Sequence, residues 1–167
     1  MPAQLTRGYH LRIARPDDLA GLDALFGRAY PRLLKADYPP SVMVTAVPLI
    51  ARAQPRLLAS GTFYVVESEG RLIGAGGWTR RDLPELGDIR HVVCDDRHLR
   101  RGVARMILTR CIEEATAAGL RLLDCKATRT AVPFYAAMGF EVLGPMAVPL
   151  APGILFPAVR MARGLLP

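Results

Sequence analysis

Three arginines surround a single glycine near the middle of the chain: Arg100 and Arg101 precede Gly102, and Arg105 follows it. An apolar run comes before this turn and an amphipathic segment after it, which predicts a strand, a basic turn and a helix. The first turn of a helix has N–H groups without intrahelical partners and carries the positive end of the helix dipole. Glycine also lets a ligand approach the backbone closely, because it has no Cβ. These residues predict an anion site, and we expect the anion to be a diphosphate.

Two other phosphate-binding loops do not fit this turn. A nucleotide-hydrolysing loop needs a lysine and a hydroxyl after its second glycine, whereas Val103 and Ala104 follow Gly102. A dinucleotide fingerprint needs three glycines in the pattern GxGxxG, and this turn has one. Taken alone, the turn is also consistent with a solvated connection between strand and helix, since short motifs have many false matches.

Residues 99–104 resemble the coenzyme loop of the GCN5-related N-acetyltransferases, which carries the pyrophosphate of acetyl-coenzyme A (acetyl-CoA). The family pattern is Gln/Arg-x-x-Gly-x-Gly/Ala, and its last three positions match the Gly-Val-Ala of this segment. Leu99 departs from the first position, where Arg100 is the available substitute. The backbone amides that would hold the diphosphate do not depend on that side chain.

A second segment, residues 131–140, resembles the closing motif of the same family, Ala-x-x-x-Tyr-x-x-x-Gly-Phe. It matches at Ala131, Tyr135, Gly139 and Phe140, at the expected distance beyond the helix. Two motifs in the right order favour the family resemblance over a solvated basic turn.

The resemblance implies both a fold and an activity. The fold is α/β (α+β), with a mixed, mostly antiparallel sheet of about six to seven strands and helices on both faces, of the acyl-CoA N-acyltransferase type. It implies one domain over residues 1–167, with its core at residues 9–162. The implied activity is the transfer of an acetyl group from acetyl-CoA to a primary amine, by direct attack in a ternary complex and without a metal.

In this family the cofactor lies between the fourth and fifth strands, and its pantetheine pairs with the fourth. The resemblance therefore implies contacts along the central strand, the basic turn, the start of the helix and the closing motif. Thr128 stands where the family often has an asparagine, so a hydroxyl would have to keep that contact. The implied cofactor-binding residues are Val92, Val93, Cys94, Arg100, Arg101, Gly102, Val103, Ala104, Arg105, Thr128 and Phe134.

Two residues are candidates for proton transfer. Tyr135 matches the tyrosine that the family often uses near the sulfur, and a phenol with a pKa of about 10 is protonated at neutral pH. The resemblance thus implies Tyr135 as general acid, with a packing role as the alternative. The amine must be neutral to attack, so a base or a water chain must take its proton. The resemblance implies Asp88 as this base, because many relatives carry a carboxylate at the start of the central strand, with a solvated turn residue as the alternative. Asp95 and Asp96 fit turn residues better, and His91 fits a partly buried histidine better than a proton relay.

The net charge of +7 raises the question of a nucleic-acid partner. The arginines are scattered and no aromatic-studded RNA motif is present, so we expect neither nucleic acid nor a membrane as partner. The expected acceptor is a small-molecule or protein amine, and a homodimer is compatible with the sequence. A second hypothesis is a catalytically weak acetyl-CoA-binding or regulatory module with the same fold. A basic nucleic-acid-binding domain is a third, weaker one.

Cysteine usage and apolar patterning predict a cytoplasmic protein. The three cysteines, Cys94, Cys111 and Cys125, have no metal-ligand spacing and lie in predicted buried elements, which is typical of a reducing compartment. The N-terminus lacks the apolar core of a signal peptide. Four prolines interrupt the uncharged stretch 142–159, which argues against a membrane helix.

The apolar pattern and the turn formers predict alternating strands and helices. Pro31 is expected to end the first helix, and the prolines in residues 144–153 are expected to mark a loop. Gly74, Gly76 and Gly77 predict a bulge or a close approach of another segment. The predicted strands are residues 9–14, 62–67, 71–80, a central strand from residue 88, 120–127, 140–143 and 154–161. The predicted helices are residues 16–30, 41–54 with an interruption or a late start at Pro48, the amphipathic segment that Gly119 ends, and 131–138.

Overall fold

The computed structural model of this protein describes residues 8–166. Its strands are β1 (His10–Ile13), β2 (Phe63–Ser68), β3 (Arg71–Arg80), β4 (Leu86–Cys94), β5 (Leu122–Ala127), β6 (Glu141–Ala151) and β7 (Ile154–Gly164). They form one sheet in the order β1-β2-β3-β4-β5-β7-β6. Every neighbouring pair is antiparallel except β4 and β5, which are parallel. The predicted mixed, mostly antiparallel sheet is confirmed, whereas the predicted domain limits, residues 1 and 167, lie outside the described residues.

Helices cover both faces of this sheet. They are α1 (Leu19–Leu34), α2 (Pro40–Thr45), α3 (Val47–Ile50), α4 (Pro55–Leu58), α5 (Val103–Ala117) and α6 (Val132–Ala137). On one face, Ile107 and Leu108 of α5 and Tyr135 of α6 belong to the core. On the other face, α1 packs through Leu22 and Phe26. Because each of these helices buries one apolar side, the sheet has a core on each face.

The helix that follows the basic turn has the predicted amphipathic pattern. Val103, Ile107 and Cys111, spaced four residues apart, are all buried, which is the period of a helix with one apolar side. Gly119 follows its end with a φ of 89°, a left-handed conformation that glycine adopts without a steric penalty. This packing fixes the N-terminus of α5 against the sheet.

Strand β3 lets α5 approach closely because it carries glycines where side chains would otherwise stand. A Cβ added at Gly74 would lie 2.5 Å from Val103 Cγ1, and one added at Gly76 would lie 2.8 Å from Ile107 Cγ2. The register between β3 and β4 also shifts in this region. The structure thus shows both features that the glycines predicted, a bulge and a close approach.

The two parallel strands diverge after a short paired segment. β4 and β5 are in register at three positions only, and the last of these pairs Asp88 with Asp124. Beyond that point β4 departs from a regular ladder with β3, and His91 in the irregular part has a φ of 47°. A histidine with positive φ is uncommon and needs support from the surrounding structure. The divergence leaves a groove between the two strands.

Pro31 does not end the first helix, contrary to the prediction. α1 continues to Leu34 with Pro31 inside it. An interior proline costs about 3 kcal/mol, because it lacks an N–H and its ring meets the carbonyl group four residues earlier. Pro31 itself is exposed, whereas Tyr30 and Leu34 belong to the core. Burial of large side chains contributes about 1.5–3 kcal/mol each, which offsets the cost of the proline.

The helix predicted over residues 41–54 is divided into short helices, and one break lies beside Pro48, where an interruption or a late start was expected. Each of α2, α3 and α4 has a proline in its first turn: Pro40, Pro48 and Pro55 respectively. Proline fits the first turn, where its missing N–H would have no partner anyway, but it does not fit a helix interior. No helix in the described part of the chain is both long and apolar enough to cross a membrane.

The prediction of a loop at residues 144–153 is wrong, because this segment forms most of β6 and the turn into β7. β6 pairs with β7 and is the last strand of the sheet. An edge strand tolerates proline at positions where the backbone N–H would point to solvent, because such an N–H donates no hydrogen bond to the neighbouring strand. Pro145 and Pro149 are therefore accommodated, opposite Val159 and Leu155.

Candidate functional site

The basic turn before α5 presents backbone amides that no side chain covers. Arg100 and Gly102 have positive φ values of 62° and 82°, a pattern that turns successive N–H groups toward one side. Among residues 8–166, no side chain accepts a hydrogen bond from the amides of residues 99–105, and Gly102 provides no side-chain cap. A Cβ at Gly102 would meet no atom within 4 Å, so the space beside the amides is open. This geometry matches the predicted anion site.

A buried carboxylate holds the segment that leads into this turn. Asp95 accepts the backbone N–H of Arg97 at 2.8 Å and its guanidinium at 3.1 Å. Burial opposes ionisation, but the hydrogen bonds from Arg97 outweigh it, and the pKa of Asp95 is lowered to about 2. Asp96 pairs with Arg28 of α1 at 3.3 Å. Both aspartates therefore act as structural turn residues, as the sequence indicated.

A cavity of about 670 Å³ begins at the basic turn and continues along the groove between β4 and β5. Its walls come from α5 and α6 on one side and from α1, α3 and the β6–β7 hairpin on the other. This volume is within the range of small-molecule and cofactor sites. The structure brings nearly all of the predicted site residues to this one cavity. Those that line it are Val92, Val93, Cys94, Arg100, Gly102, Val103, Ala104, Arg105, Thr128, Phe134 and Tyr135.

Two predicted site residues lie outside this lining. The guanidinium of Arg101 lies 3.4 Å from the Tyr9 hydroxyl instead of facing the cavity. The carboxylate of Asp88 pairs with Arg81 at 2.7 Å. Asp88 is the last residue of β4 that pairs with β5, so it lies before the groove opens between the two strands. Neither position supports the predicted role, cofactor contact for Arg101 or general base for Asp88.

Tyr135 reaches the cavity from the buried side of α6. Its ring contacts Phe134 and Phe140 edge-to-face, with ring centroids 5.3 Å away in each case. Burial raises the pKa of Tyr135 well above its ordinary value, and the neighbouring thiol of Cys125 raises it further. The phenol therefore keeps its proton at neutral and moderately alkaline pH, which is what a general acid needs.

His91, the residue with positive φ in β4, also borders the cavity. Its Nδ1 is 3.0 Å from the Tyr30 hydroxyl, and its ring stacks on Phe26 with centroids 5.1 Å apart. Burial lowers the pKa of His91 to about 4, so the ring is neutral at physiological pH and shares one hydrogen bond with the Tyr30 hydroxyl. The sequence indicated a partly buried histidine, but nothing local in it indicates the bulge that places the ring here.

Sequence reasoning missed the side of the cavity that faces α1. This side combines an apolar wall with two cations, and none of the described residues that line the cavity is Asp or Glu. The alternation of apolar residues in β6 was the available signal, but the prolines in that segment indicated a loop instead. The lining residues that were not predicted include Leu33, Leu49, Ile50, Arg90, Lys126, Val148, Leu150 and Phe156.

The fold resembles that of solved acetyltransferases. A GCN5-related N-acetyltransferase from Rhodopseudomonas palustris matches with a TM-score of 0.79 at 20% identity, over 95% of this chain and 97% of that chain. The PaiA N-acetyltransferase from Thermoplasma acidophilum, solved in complex with coenzyme A, matches with a TM-score of 0.74 at 12% identity, over 95% and 99% of the two chains. The ribosomal-protein-S18-alanine N-acetyltransferase from Escherichia coli matches with a TM-score of 0.65 at 16% identity, over 94% of each chain.

Sequence comparison supports the same relationship. The family model of the acetyltransferase (GNAT) domain matches residues 59–142, half of the chain. No curated protein matches the sequence significantly. The matched residues include β4, the basic turn, α5, β5 and α6, which all contribute residues to the cavity lining. The chain belongs to the GNAT acetyltransferase family.

Proposed function

We propose that the protein is an N-acetyltransferase that moves an acetyl group from acetyl-CoA to a primary amine by direct attack in a ternary complex. The observation that carries the proposal is one cavity that joins the uncovered amides before α5 to Tyr135. An anion site at one end and a protonated phenol at the other suit the diphosphate and the thioester of acetyl-CoA. The T. acidophilum relative was solved with coenzyme A, which supports the cofactor assignment.

The residues of this chain fit the parts of the cofactor in order. The amides that follow Gly102 would hold the diphosphate, and Arg100 and Arg105 would add positive charge beside it. The backbone of Val92 and Val93, which lies where β4 has left β5, offers hydrogen-bonding groups for an extended pantetheine. When bound, acetyl-CoA supplies the activated acetyl group.

Two features of the chain would handle protons. Tyr135 holds a proton that its raised pKa keeps in place, and it would donate this proton to the sulfur that leaves. On the acceptor side none of the described lining residues is a carboxylate, and an apolar surrounding favours the neutral form of an amine. We therefore assign the loss of the amine proton to solvent and not to Asp88.

The test is a measurement of thiol release. The native protein is incubated with acetyl-CoA and a panel of primary amines, amino acids and peptides, and free coenzyme A is detected. We expect release that depends on at least one amine, together with binding of acetyl-CoA by calorimetry. Absence of thiol release with every member of the panel would overturn the proposal, whether or not acetyl-CoA binds.

One observation favours a second candidate, a catalytically weak acetyl-CoA-binding module. Among residues 8–166, the cavity lining contains no carboxylate that could act as base. This candidate predicts acetyl-CoA binding without thiol release for any member of the amine panel. A cytoplasmic location, the lack of a nucleic-acid partner and association into a homodimer remain predictions from the sequence.

A further inference from the structure

The charges on the acceptor side of the cavity do not suit a polycationic amine. Arg90 and Lys126 line the cavity, and no described lining residue is Asp or Glu. Among the described residues neither cation forms an ion pair. Arg90 donates through Nε to Thr79 Oγ1 at 3.0 Å, and its two terminal nitrogens have no acceptor in that part of the chain. A polyamine would meet only charges of its own sign, whereas a carboxylate would find two donors.

The two cations lie on the same face of the sheet. Each stands two residues beyond the last register pair of β4 and β5, which joins Asp88 to Asp124. Residues two apart on a strand share a face, so both side chains border the opening groove. The carboxylates of the register pair are already engaged, because Arg81 lies 2.7 Å from Asp88 and 3.2 Å from Asp124. They therefore do not neutralise Arg90 and Lys126.

An apolar wall adjoins these cations on that face. Phe156 and Val148 form a cross-strand pair of the β6–β7 hairpin, and Leu33 of α1 and Ile50 of α3 complete the wall. These four residues belong to the core on the α1 face or pack against it. Arg160 of β7 lies opposite Lys126 of β5, so these two residues share a face of the sheet. Phe156 is four residues from Arg160 on the same strand and therefore points to that face too. The wall and the cations thus belong to one surface.

We propose that the acceptor is a monoamine that carries an apolar group and a carboxylate, with an apolar α-amino acid as the simplest member of the class. Arg90 and Lys126 bind the carboxylate, and the apolar wall binds the side chain. This inference rests on the proposed N-acetyltransferase function. In the transfer, a bond forms between the amine nitrogen and the acetyl carbon, and the carbon–sulfur bond breaks. The nitrogen loses one proton to solvent, and the sulfur gains one from Tyr135, which solvent then reprotonates.

The first test compares acceptors that differ in one group. The native protein at saturating acetyl-CoA is assayed for thiol release with phenylalanine, phenylalaninamide, phenethylamine and spermine. We expect kcat/KM for phenylalanine to exceed that for phenylalaninamide by about tenfold or more, because the amide cannot form charge-assisted bonds with the cations. A carboxamide also makes its amine less basic, so this preference cannot come from easier deprotonation. We expect no release with spermine.

The second test removes the cations one at a time. Arg90→Met and Lys126→Met keep an unbranched apolar chain close to the length of the native aliphatic stem and remove the charged group. We expect the ratio of kcat/KM for phenylalanine to that for phenethylamine to fall about tenfold or more in each variant, through a higher KM for phenylalanine. Lys35→Met is the matched control, since Lys35 is exposed and lies outside the lining. We expect this control to keep the native ratio.

The outcomes separate this inference from the proposed function. Thiol release with phenethylamine, spermine or a lysine peptide, with no advantage for phenylalanine, overturns the acceptor assignment and leaves an acetyltransferase. A native selectivity ratio in both Arg90→Met and Lys126→Met also overturns it. Acetyl-CoA binding with no release from any acceptor overturns the proposed function and this inference together.

Discussion

Gly102 combines a backbone that L-residues rarely adopt with open space in front of a helix N-terminus. Its φ is 82°, and an added Cβ would meet no atom within 4 Å. Gly102→Asp places a carboxylate where the diphosphate would lie, so like charges and the loss of close approach both oppose binding. We expect the affinity for acetyl-CoA to fall about tenfold or more, measured by calorimetry.

A matched control for this change stands at the other end of the same helix. Gly119 has a φ of 89° and also has no atom within 4 Å of an added Cβ. Gly119→Asp therefore imposes a similar backbone strain and the same charge at a position far along α5. We expect it to bind acetyl-CoA like the native protein. Equal losses of affinity in both folded variants would contradict the anion site.

Tyr135 is the residue whose proton the proposed chemistry uses. Tyr135→Phe keeps the ring contacts with Phe134 and Phe140 and removes only the hydroxyl. General acid catalysis contributes about 10²–10⁴-fold, so we expect kcat to fall by about 100-fold while the affinity for acetyl-CoA changes little. Single-turnover kinetics and calorimetry measure the two quantities separately.

Tyr64 offers the corresponding control within the same core. It is buried, and its hydroxyl accepts the indole N–H of Trp78 at 3.3 Å. Tyr64 does not line the cavity. Tyr64→Phe therefore loses a buried hydroxyl without touching the site, and we expect native kcat. A native kcat in Tyr135→Phe would remove Tyr135 from the mechanism.

At the scale of elements, the distance between α5 and β3 decides where the anion site lies. Gly74→Ala would put a Cβ 2.5 Å from Val103 Cγ1 and 3.1 Å from Ile107 Cδ1. Both neighbours are β-branched and have few rotamers available, so α5 has to move. We expect the free energy of unfolding to fall by about 1–3 kcal/mol, measured by urea denaturation.

Gly164 of β7 is a suitable comparison for this change. A Cβ there would meet no atom within 4 Å, so Gly164→Ala tests the same substitution in a strand without the packing conflict. We expect its free energy of unfolding to equal or exceed that of the native protein. A similar loss in both variants would show that α5 and β3 are less tightly packed than the structure indicates.

The elements differ in how well the sequence predicts them. The course of α5 follows from the spacing of Val103, Ile107 and Cys111, which is a local pattern. The extent of α1 and the nature of β6 do not follow from a local pattern, because both contain prolines that ordinarily end such elements. Pro31 is tolerated because its neighbours are buried, and the prolines of β6 are tolerated because that strand is an edge. Both reasons concern residues distant in sequence.

The stability of the whole molecule in acid depends in part on Asp95. Its pKa is lowered from 3.8 to about 2 in the folded protein. Because folding lowers this pKa, the ionised carboxylate of Asp95 stabilises the folded protein at pH values above about 4. This stabilisation is lost as the pH falls from about 4 to about 2, where the carboxylate becomes protonated in the folded protein as well. The shift corresponds to about 2 kcal/mol. We expect Asp95→Asn to be less stable than the native protein at pH 7 and to approach it near pH 2, in denaturant titrations across this range.

Asp82 provides the control for loss of a carboxylate. It is exposed, and no ion pair involves it among residues 8–166. We expect Asp82→Asn to match the native protein over the whole pH range. Parallel pH curves for Asp95→Asn and the native protein would show that Asp95 does not carry this part of the acid sensitivity.

The family and its fold could be predicted from two short motifs. The anion turn around Gly102 and the closing motif around Tyr135 are local, and each places a helix with a defined start. The position of the backbone amides and of the Tyr135 ring follows directly from such helices, so the sequence was sufficient to predict the part of the cavity that these groups line.

The side of the cavity that faces α1 was decided only by the tertiary structure. Arg90 and Lys126 are separated by more than thirty residues in sequence and share a face only because β4 and β5 are parallel neighbours that then diverge. The position of Asp88 was decided in the same way, since it lies in the paired part of the sheet, forms an ion pair with Arg81 and does not line the cavity. Local chemistry determines which groups a chain can offer. The pairing and divergence of distant strands determine which of those groups meet, because side-chain contacts across a sheet depend on register.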